Sequence, residues 1–152
     1  MLAVRLFAIF AVLGAVLGCA TLPGVRDRYV VCSYDAAWTA ALESLKDRAI
    51  TVKDREKGLI ETAWLELPTD PRNFGAFQRE IKESRDRSRM VVTLTRIKEV
   101  TKVSLSEDRE RWAWRGGSRL FGWSPTEPSE ETMTAVMNRI NSKLKESGCP
   151  ST

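Results

Sequence analysis

Apolar residues recur at helical spacing in two segments, so each predicted helix buries one narrow stripe against a core. The first segment predicts a helix over residues 34–49, with Ser33 as a favourable N-cap. Its apolar stripe consists of Trp38, Ala41, Leu42, Leu45 and Ala49. The second segment predicts a long C-terminal helix that begins after Ser129 and is stopped by Gly148. Its apolar stripe consists of Met133, Val136, Met137, Ile140 and Leu144.

Alternating apolar and polar residues predict strands between and before these helices. The predicted strands cover residues 29–32, 50–54, 59–67, 90–97 and 101–107. Gly58 lies in a charged turn that joins the second strand to the third, and it can adopt the positive φ of a tight hairpin. In the third strand the alternation places Ile60, Thr62 and Trp64 on one face.

Two connecting segments show no clear strand period. Residues 72–89 contain Phe74, Phe77 and Ile81 at helical spacing and end in a densely charged run, which predicts a short helix or a mobile excursion. Residues 122–128 are predicted to form a loop. Strands joined by hairpins indicate an antiparallel sheet, and two single-stripe helices indicate that one of its faces is covered. The expected fold is therefore a two-layer α+β domain with a long C-terminal helix and one shorter helix.

The N-terminus has the pattern of a targeting segment. Leu6 to Leu17 is a run of apolar residues and glycine that fits a signal peptide and is short for a membrane span of roughly 17 to 25 residues. The four residues Val16-Leu17-Gly18-Cys19, which overlap the end of this run, resemble the lipobox of bacterial lipoproteins. The resemblance implies cleavage before Cys19 and acylation of that residue with fatty acids such as palmitate. A plain signal peptide or an uncleaved anchor are the alternatives.

The lipoprotein interpretation divides the chain into three parts. Residues 1–18 are the signal peptide, residues 19–28 a short lipidated tether, and residues 29–149 a single folded domain. Ala20, in place of Asp, follows the cysteine. By the sorting rule of enterobacterial lipoproteins, this residue implies anchoring in the outer membrane, with the domain facing the periplasm.

The order of elements is similar to a helix-grip domain, in which an antiparallel sheet curls around a long C-terminal helix. The stretches Tyr34-Asp35-Ala36-Ala37-Trp38 and Lys57-Gly58-Leu59-Ile60-Glu61-Thr62-Ala63-Trp64 resemble the domains of BamC-type (NlpB-type) outer-membrane lipoproteins. The match covers residues 29–147 as a pattern and only these two stretches residue by residue. BamC-type proteins have two such domains and a long unstructured N-terminal segment, whereas this chain has one domain and a short tether. The resemblance thus implies the fold more than a role in barrel assembly.

Composition argues against most enzymes. The 152-residue chain contains no histidine, which removes the commonest general base and metal ligand. Its three cysteines, at positions 19, 32 and 149, are too few and too scattered for a zinc site. We therefore expect no catalytic activity, no cofactor and no bound metal. The net charge of +4 does not indicate nucleic acid, because the expected compartment is the cell envelope.

Cys32 and Cys149 are candidates for a disulfide, because an oxidising periplasm would hold both. The alternative is two free thiols, one buried in a strand and one near the C-terminus. Neither cysteine is expected to act as a nucleophile, since the chain has no histidine to activate it.

Arginines and tryptophans from two separate segments are the candidate residues for binding a partner. They are Arg85, Arg87, Arg89, Trp112, Trp114 and Arg115. A strand that continues past residue 107 places both indoles on one face and its own arginines mostly on the other, and aromatic and Arg residues are common at interface hot spots. The alternatives are tryptophans that pack under the last helix and a charged segment that is merely solvated.

Two functions fit these features. The first is a non-catalytic cell-envelope lipoprotein that acts as a protein-binding or assembly module, which the family resemblance connects with outer-membrane protein assembly. The second is a periplasmic carrier of a small apolar ligand in the groove between the sheet and the C-terminal helix. Bulky residues, namely Trp38, Trp64, Met133 and Met137, are expected to fill that groove and so favour the first function.

Overall fold

The computed structural model describes residues 24–68, 72–74, 79–81, 85–114 and 121–149. Two helices lie in these ranges, α1 (Tyr34–Ser44) and α2 (Glu130–Glu146). The strands are β1 (Val25–Val30), β2 (Ile50–Asp54), β3 (Leu59–Thr62), β4 (Leu65–Leu67), β5 (Arg72–Phe74), β6 (Arg79–Ile81), β7 (Arg85–Ile97), β8 (Val100–Trp114) and β9 (Phe121–Thr126). The predicted signal peptide and Cys19 lie outside the described residues.

Both helices begin where the sequence predicts. The side chains of Ser33 and Ser129 accept hydrogen bonds from backbone N–H groups in the first turn, so each serine caps its helix. Helix α2 ends in a Schellman motif, in which Gly148 has a φ of +75° and the Cys149 N–H donates to the Leu144 carbonyl. Helix α1 ends at Ser44 and not at residue 49, because the chain tightens there into turns with i to i−3 hydrogen bonds.

The sheet is antiparallel throughout. Its strand order is β1-β8-β7-β3-β2. Two further strands extend it: β4 pairs with the start of β7, and β9 pairs with the end of β8. Strands β7 and β8 form the central hairpin, which pairs continuously from Ile97 opposite Val100 to Arg85 opposite Trp112. This arrangement confirms the predicted α+β fold, an antiparallel sheet with a long C-terminal helix and a shorter one packed against it.

The core lies between the helices and one face of the sheet, here called the inner face. Strands β7 and β8 contribute alternate residues, among them Met90, Val92 and Leu105, and each of these is fully buried. Helix α2 contributes its predicted stripe, with Met133 and Ile140 at 0% exposure. The interpretation of that stripe as core is therefore confirmed. The opposite face of the sheet, the outer face, is not covered by either helix.

Three sequence predictions about local structure are wrong. Residues 72–89 contain no helix in the described positions: β5 pairs with β6, and residues 85–89 begin β7. Residues 121–126 form β9 instead of a loop, because they pair with the end of β8. The first strand starts at Val25, so most of residues 24–28 belong to the domain and not to a tether.

Candidate functional site

The central hairpin has two halves with different surroundings. The covered half consists of Met90–Ile97 and Val100–Glu107, and its inner face packs under the helices. The distal half consists of Arg85–Arg89 and Asp108–Trp114, and it is flanked by β4 and β9. The candidate site lies on the outer face of the distal half.

Arg87 is the centre of this site. Its guanidinium carbon lies 4.5 Å from the ring centroid of Trp64 and 4.2 Å from that of Trp123, so the group is held between two indoles. The same guanidinium donates to Glu110 on β8, with Nε 2.8 Å from the carboxylate. Stacking and ion pairing together fix a side chain that is otherwise among the most mobile.

Arg85 and Arg89 lie on either side of Arg87 on the same face. Arg89 donates to Asp108 at 2.8 Å, approaches Glu61 at 3.6 Å, and lies 5.1 Å from the Trp64 ring. Arg85 lies over Trp112 at 5.8 Å, and its one ion pair with a described residue is a long contact of 3.9 Å to Glu66. The three arginines thus have different degrees of restraint, with Arg85 the most exposed.

Two of the tryptophans are in direct contact. Trp112 on β8 is the register partner of Trp123 on β9, and their rings meet edge to face with centroids 5.4 Å apart. We call the whole set the arginine–tryptophan surface. It comprises Trp64, Arg85, Arg87, Arg89, Trp112 and Trp123.

Trp64 reaches the outer face because of a one-residue bulge. From Glu61 to Leu65 the β3–β4 segment advances four residues, whereas β7 advances only three from Val91 to Ser88. An extra residue reverses which face the following side chains occupy. The prediction that Trp64 shares a face with the buried Ile60 is therefore wrong, and Trp64 does not fill the groove under α2.

Trp112 also lies on the outer face, so it does not pack under the last helix as one interpretation of the sequence held. Its neighbours Arg109 and Arg111 point to the inner side, where both donate to Asp86 on β7. Asp86 is 1% exposed, and hydrogen bonds from Arg111 hold the pKa of its carboxyl below the ordinary value. The predicted separation of indoles and arginines on opposite faces of β8 is correct for these residues. The arginines, however, are ion-paired and not merely solvated.

Glu107 marks the boundary between the two halves. It is 4% exposed, and its Oε2 accepts a hydrogen bond from the backbone N–H of Ser129, the N-cap of α2. Its Oε1 has no hydrogen-bond partner among the described residues. The carboxylate thereby attaches the start of α2 to the end of the covered half.

The structure joins Cys32 to Cys149 by a disulfide, with the two Cα atoms 5.2 Å apart. Cys32 lies in the bend between β1 and α1, outside any strand, and Cys149 lies directly after α2. The bond agrees with the predicted pairing. It attaches the C-terminal end of α2 to the first turn of the domain.

The predicted partner residues are only partly brought together. Arg85, Arg87, Arg89 and Trp112 form one surface, while Trp114 is described only through its backbone, which pairs with Phe121. Arg115 lies outside the described residues. The sequence prediction does not include Trp64 and Trp123 in this surface. The available signal is the alternation of arginine with Asp86 and Ser88 over residues 85–89, which shows that β7 extends to this end of the sheet.

Two features are absent from the described part of the chain, a cluster of metal ligands and a membrane-spanning helix. It contains no group of three or more Cys, Asp and Glu side chains placed to hold a metal ion. None of its helices is long and apolar enough to cross a membrane. The ionic and aromatic contacts of the distal half are of the kind found at binding surfaces.

Comparisons with known proteins add no family to this geometry. No family model matches the chain, and no curated protein is significantly similar to it. The resemblance to BamC-type domains stays a prediction from two short stretches of sequence.

Proposed function

We propose that the chain is a non-catalytic lipoprotein of the bacterial cell envelope whose domain binds a protein partner through its outer face. The observation that carries this proposal is the arginine–tryptophan surface, which lies on a sheet face that neither α1 nor α2 covers. Tryptophan and arginine are the residues most enriched at binding hot spots. Arg87 is already held between two indoles, so its side chain would lose little conformational entropy when a partner contacts it.

The adjoining part of the outer face is suited to close approach. Val91, Thr93, Ser104 and Ser106 are small, partly exposed side chains at its centre. These small side chains form a flat area of the sheet, which adjoins the larger Trp and Arg side chains of the distal half. A partner that covers both would bury Trp64 and the stacked Arg87 at one end and pack closely against the sheet at the other.

The anchor would keep this domain near the membrane. Cys19 precedes the first strand residue, Val25, by only a few positions. Acyl chains contribute about 0.8 kcal/mol per buried methylene, so two or three chains would hold the protein there stably. Because Ala20 follows Cys19, we propose that the anchor lies in the outer membrane and that the domain faces the periplasm. The resemblance to BamC-type domains supports a proposed role in outer-membrane protein assembly.

The packing gives no support to the alternative function, a carrier of a small apolar ligand. Trp38, Met133 and Met137 are buried between the sheet and the helices at 4%, 0% and 7% exposure. These side chains occupy the space that an apolar ligand would need. No contact in the described residues favours the carrier over the binding module.

Fatty-acid labelling tests the anchor. Cells that express the full chain should incorporate labelled palmitate into it, and Cys19→Ser should abolish the label. Cys32→Ser is a matched control, which should retain the label because that cysteine lies inside the domain. Equal labelling of the Cys19→Ser variant would refute the lipoprotein proposal.

Site-specific photo-crosslinking in intact envelopes tests the binding face. A crosslinking amino acid at Thr93, on the outer face, should give discrete protein adducts, whereas the same probe at the exposed Thr134 on α2 should not. Ser106→Arg, which places a bulky charge beside Thr93, should remove the adducts. Equal adducts at both positions, none at either, or adducts that survive Ser106→Arg would each count against this face.

A further inference from the structure

The outermost part of the distal half is aromatic and cationic. Trp112, Trp123 and Arg85 lie in one register row, with the indoles in contact and the guanidinium over Trp112. Phe121 lies one row farther out on the same face, and it is 42% exposed. We call these four residues the tip. Indole rings and basic side chains are the residues that favour the interface between a bilayer and water.

Two of the described carboxylates on the outer face, Glu110 and Asp108, are set back from the tip. Glu110 pairs with Arg87 and Asp108 pairs with Arg89, one and two rows nearer the covered half. At the tip itself, the only carboxylate in the described contacts is Glu66, at 3.9 Å from Arg85. The charge on this face therefore changes along the sheet from balanced ion pairs to an aromatic end with an exposed arginine. A purely structural ladder would not require this gradient.

The tether enters the domain on the same side. Val25 pairs with Ser106, and it is the end of β1 nearer the tip, because β1 runs from there toward Thr101. A Cβ on Gly24 would lie 2.8 Å from Cγ of Pro128, so the chain enters against the segment between β9 and α2. From Ser106 to the row of Trp112 is about 20 Å at about 3.4 Å per residue. An extended tether from Cys19 to Gly24 also spans about 20 Å.

From these three observations we infer that the tip rests in the phospholipid headgroup region of the membrane that carries the lipid anchor. This inference depends on the proposed acylation of Cys19. The tip and the anchor then lie at the same depth, and the anchor supplies a high local concentration of headgroups. The outer face stands upright above the membrane, with Trp64, Arg87 and Thr93 held away from the lipid and free to bind a protein.

The opposite end of the sheet provides a matched control. Ile97 lies on the outer face near the β7–β8 turn and is 41% exposed, almost equal to Phe121. Phe121→Cys and Ile97→Cys can each be labelled with an environment-sensitive fluorophore, because Cys32 and Cys149 are joined and Cys19 is acylated. The acylated full-length protein is then reconstituted in vesicles of phosphatidylethanolamine and phosphatidylglycerol.

We expect the label at position 121 to show a blue shift and a rise in emission in these vesicles, and to be quenched by brominated phospholipid. The emission of the label at position 97 should show neither this shift nor this quenching, because that position stays in water. Melting curves and mass spectra of both variants check that the fold and the disulfide are intact.

Each other outcome contradicts a specific claim. If the protein carries no fatty acid, the lipoprotein proposal fails and the inference fails with it. If the protein is acylated and vesicle-bound but position 121 stays in water, only the inference fails. A change at position 97 equal to that at 121 would show that the domain lies on the membrane in another orientation. A change at 121 that occurs in native envelopes but not in protein-free vesicles would mean that the tip contacts a protein.

Discussion

The two halves of the β7–β8 hairpin are stabilised in different ways. In the covered half, aliphatic side chains such as Leu105 alternate toward the helices, and burial of apolar surface supplies the stabilisation. In the distal half, the corresponding inner positions are Asp86 and Ser88, and cross-strand ion pairs with arginines replace apolar packing. The same two strands therefore pass from an apolar to an ionic environment without a break in their pairing.

This difference shows what a sheet needs where no helix covers it. Polar and aromatic cross-strand pairs contribute roughly 0.2 to 1 kcal/mol each, so several are required to replace one buried aliphatic side chain. The distal half has such pairs on both faces, with Arg87 and Glu110 on the outer face and Arg111 and Asp86 on the inner face. These contacts also leave tryptophans accessible, which a covered sheet could not do.

The largest predicted effect concerns the disulfide that closes the covered half. Replacing Cys32 and Cys149 together by alanine removes a crosslink between residues 117 apart. The loop-entropy account of disulfides predicts a loss of about 4 to 5 kcal/mol in the free energy of unfolding. Urea denaturation of the oxidised protein and of the double variant measures it. A loss below about 1 kcal/mol would show that the N-terminal and C-terminal ends of the domain are held by packing alone.

The next effect tests apolar packing in the covered half. Leu105→Ala removes a fully buried side chain opposite Val92, and we expect a loss of about 3 to 4 kcal/mol. The loss should be the same in low and high salt, since no charge is involved. Urea denaturation at two salt concentrations measures both features. A strongly salt-dependent loss would contradict the comparison between the halves.

The sequence predicts the covered half well and the distal half poorly, for one physical reason. Hydrophobic periodicity detects elements that face an apolar core, and it correctly predicts the strand over residues 90–97 and the start of each helix. It stopped at Met90 because the next inner positions are Ser88 and Asp86, whose partners lie more than twenty residues away on β8. Strand β9 was missed for a similar reason, because its outward positions hold Trp123 and Pro125 and no inner apolar stripe marks it.

The candidate site could be predicted only in part. The arginines and Trp112 were recognised from their residue types and spacing. The predicted face of Trp64 is wrong because alternation of residue types does not reveal a bulge. Beside that bulge the Thr62 hydroxyl accepts a hydrogen bond from the Met90 N–H, and this contact has no signal in the sequence. The pairing register of strands that are distant in sequence therefore decides which aromatic side chains meet, and the local pattern of residue types does not encode that register.

An ionic effect of intermediate size tests the inner face of the distal half. Asp86→Asn removes the carboxylate that Arg109 and Arg111 share, and we expect a loss of about 2 to 3 kcal/mol in the free energy of unfolding at neutral pH. The loss falls short of that for a fully buried pair, because both arginines keep some contact with water.

The same variant has a predicted pH dependence. The pKa of Asp86 is lowered in the folded protein, so its ionised form stabilises the fold above the unfolded pKa of about 3.9. That contribution is lost as the pH falls below this value through the folded pKa. The difference in stability between wild type and Asp86→Asn should therefore be full at pH 7 and shrink below pH 4. A difference that is constant with pH would contradict the role of the ionised carboxylate.

The smallest effect distinguishes a restrained arginine from an exposed one on the outer face. Arg87→Lys keeps the positive charge but loses the planar group that lies between Trp64 and Trp123, so we expect a loss of about 1 kcal/mol in the free energy of unfolding. Arg85→Lys is the matched control. Its side chain is 54% exposed and its ion pair is long, so its loss should stay below about 0.5 kcal/mol. Because both variants conserve charge, high salt should affect them alike, and only the stacking of Arg87 separates them. Equal and negligible losses would mean that the two indoles do not restrain Arg87.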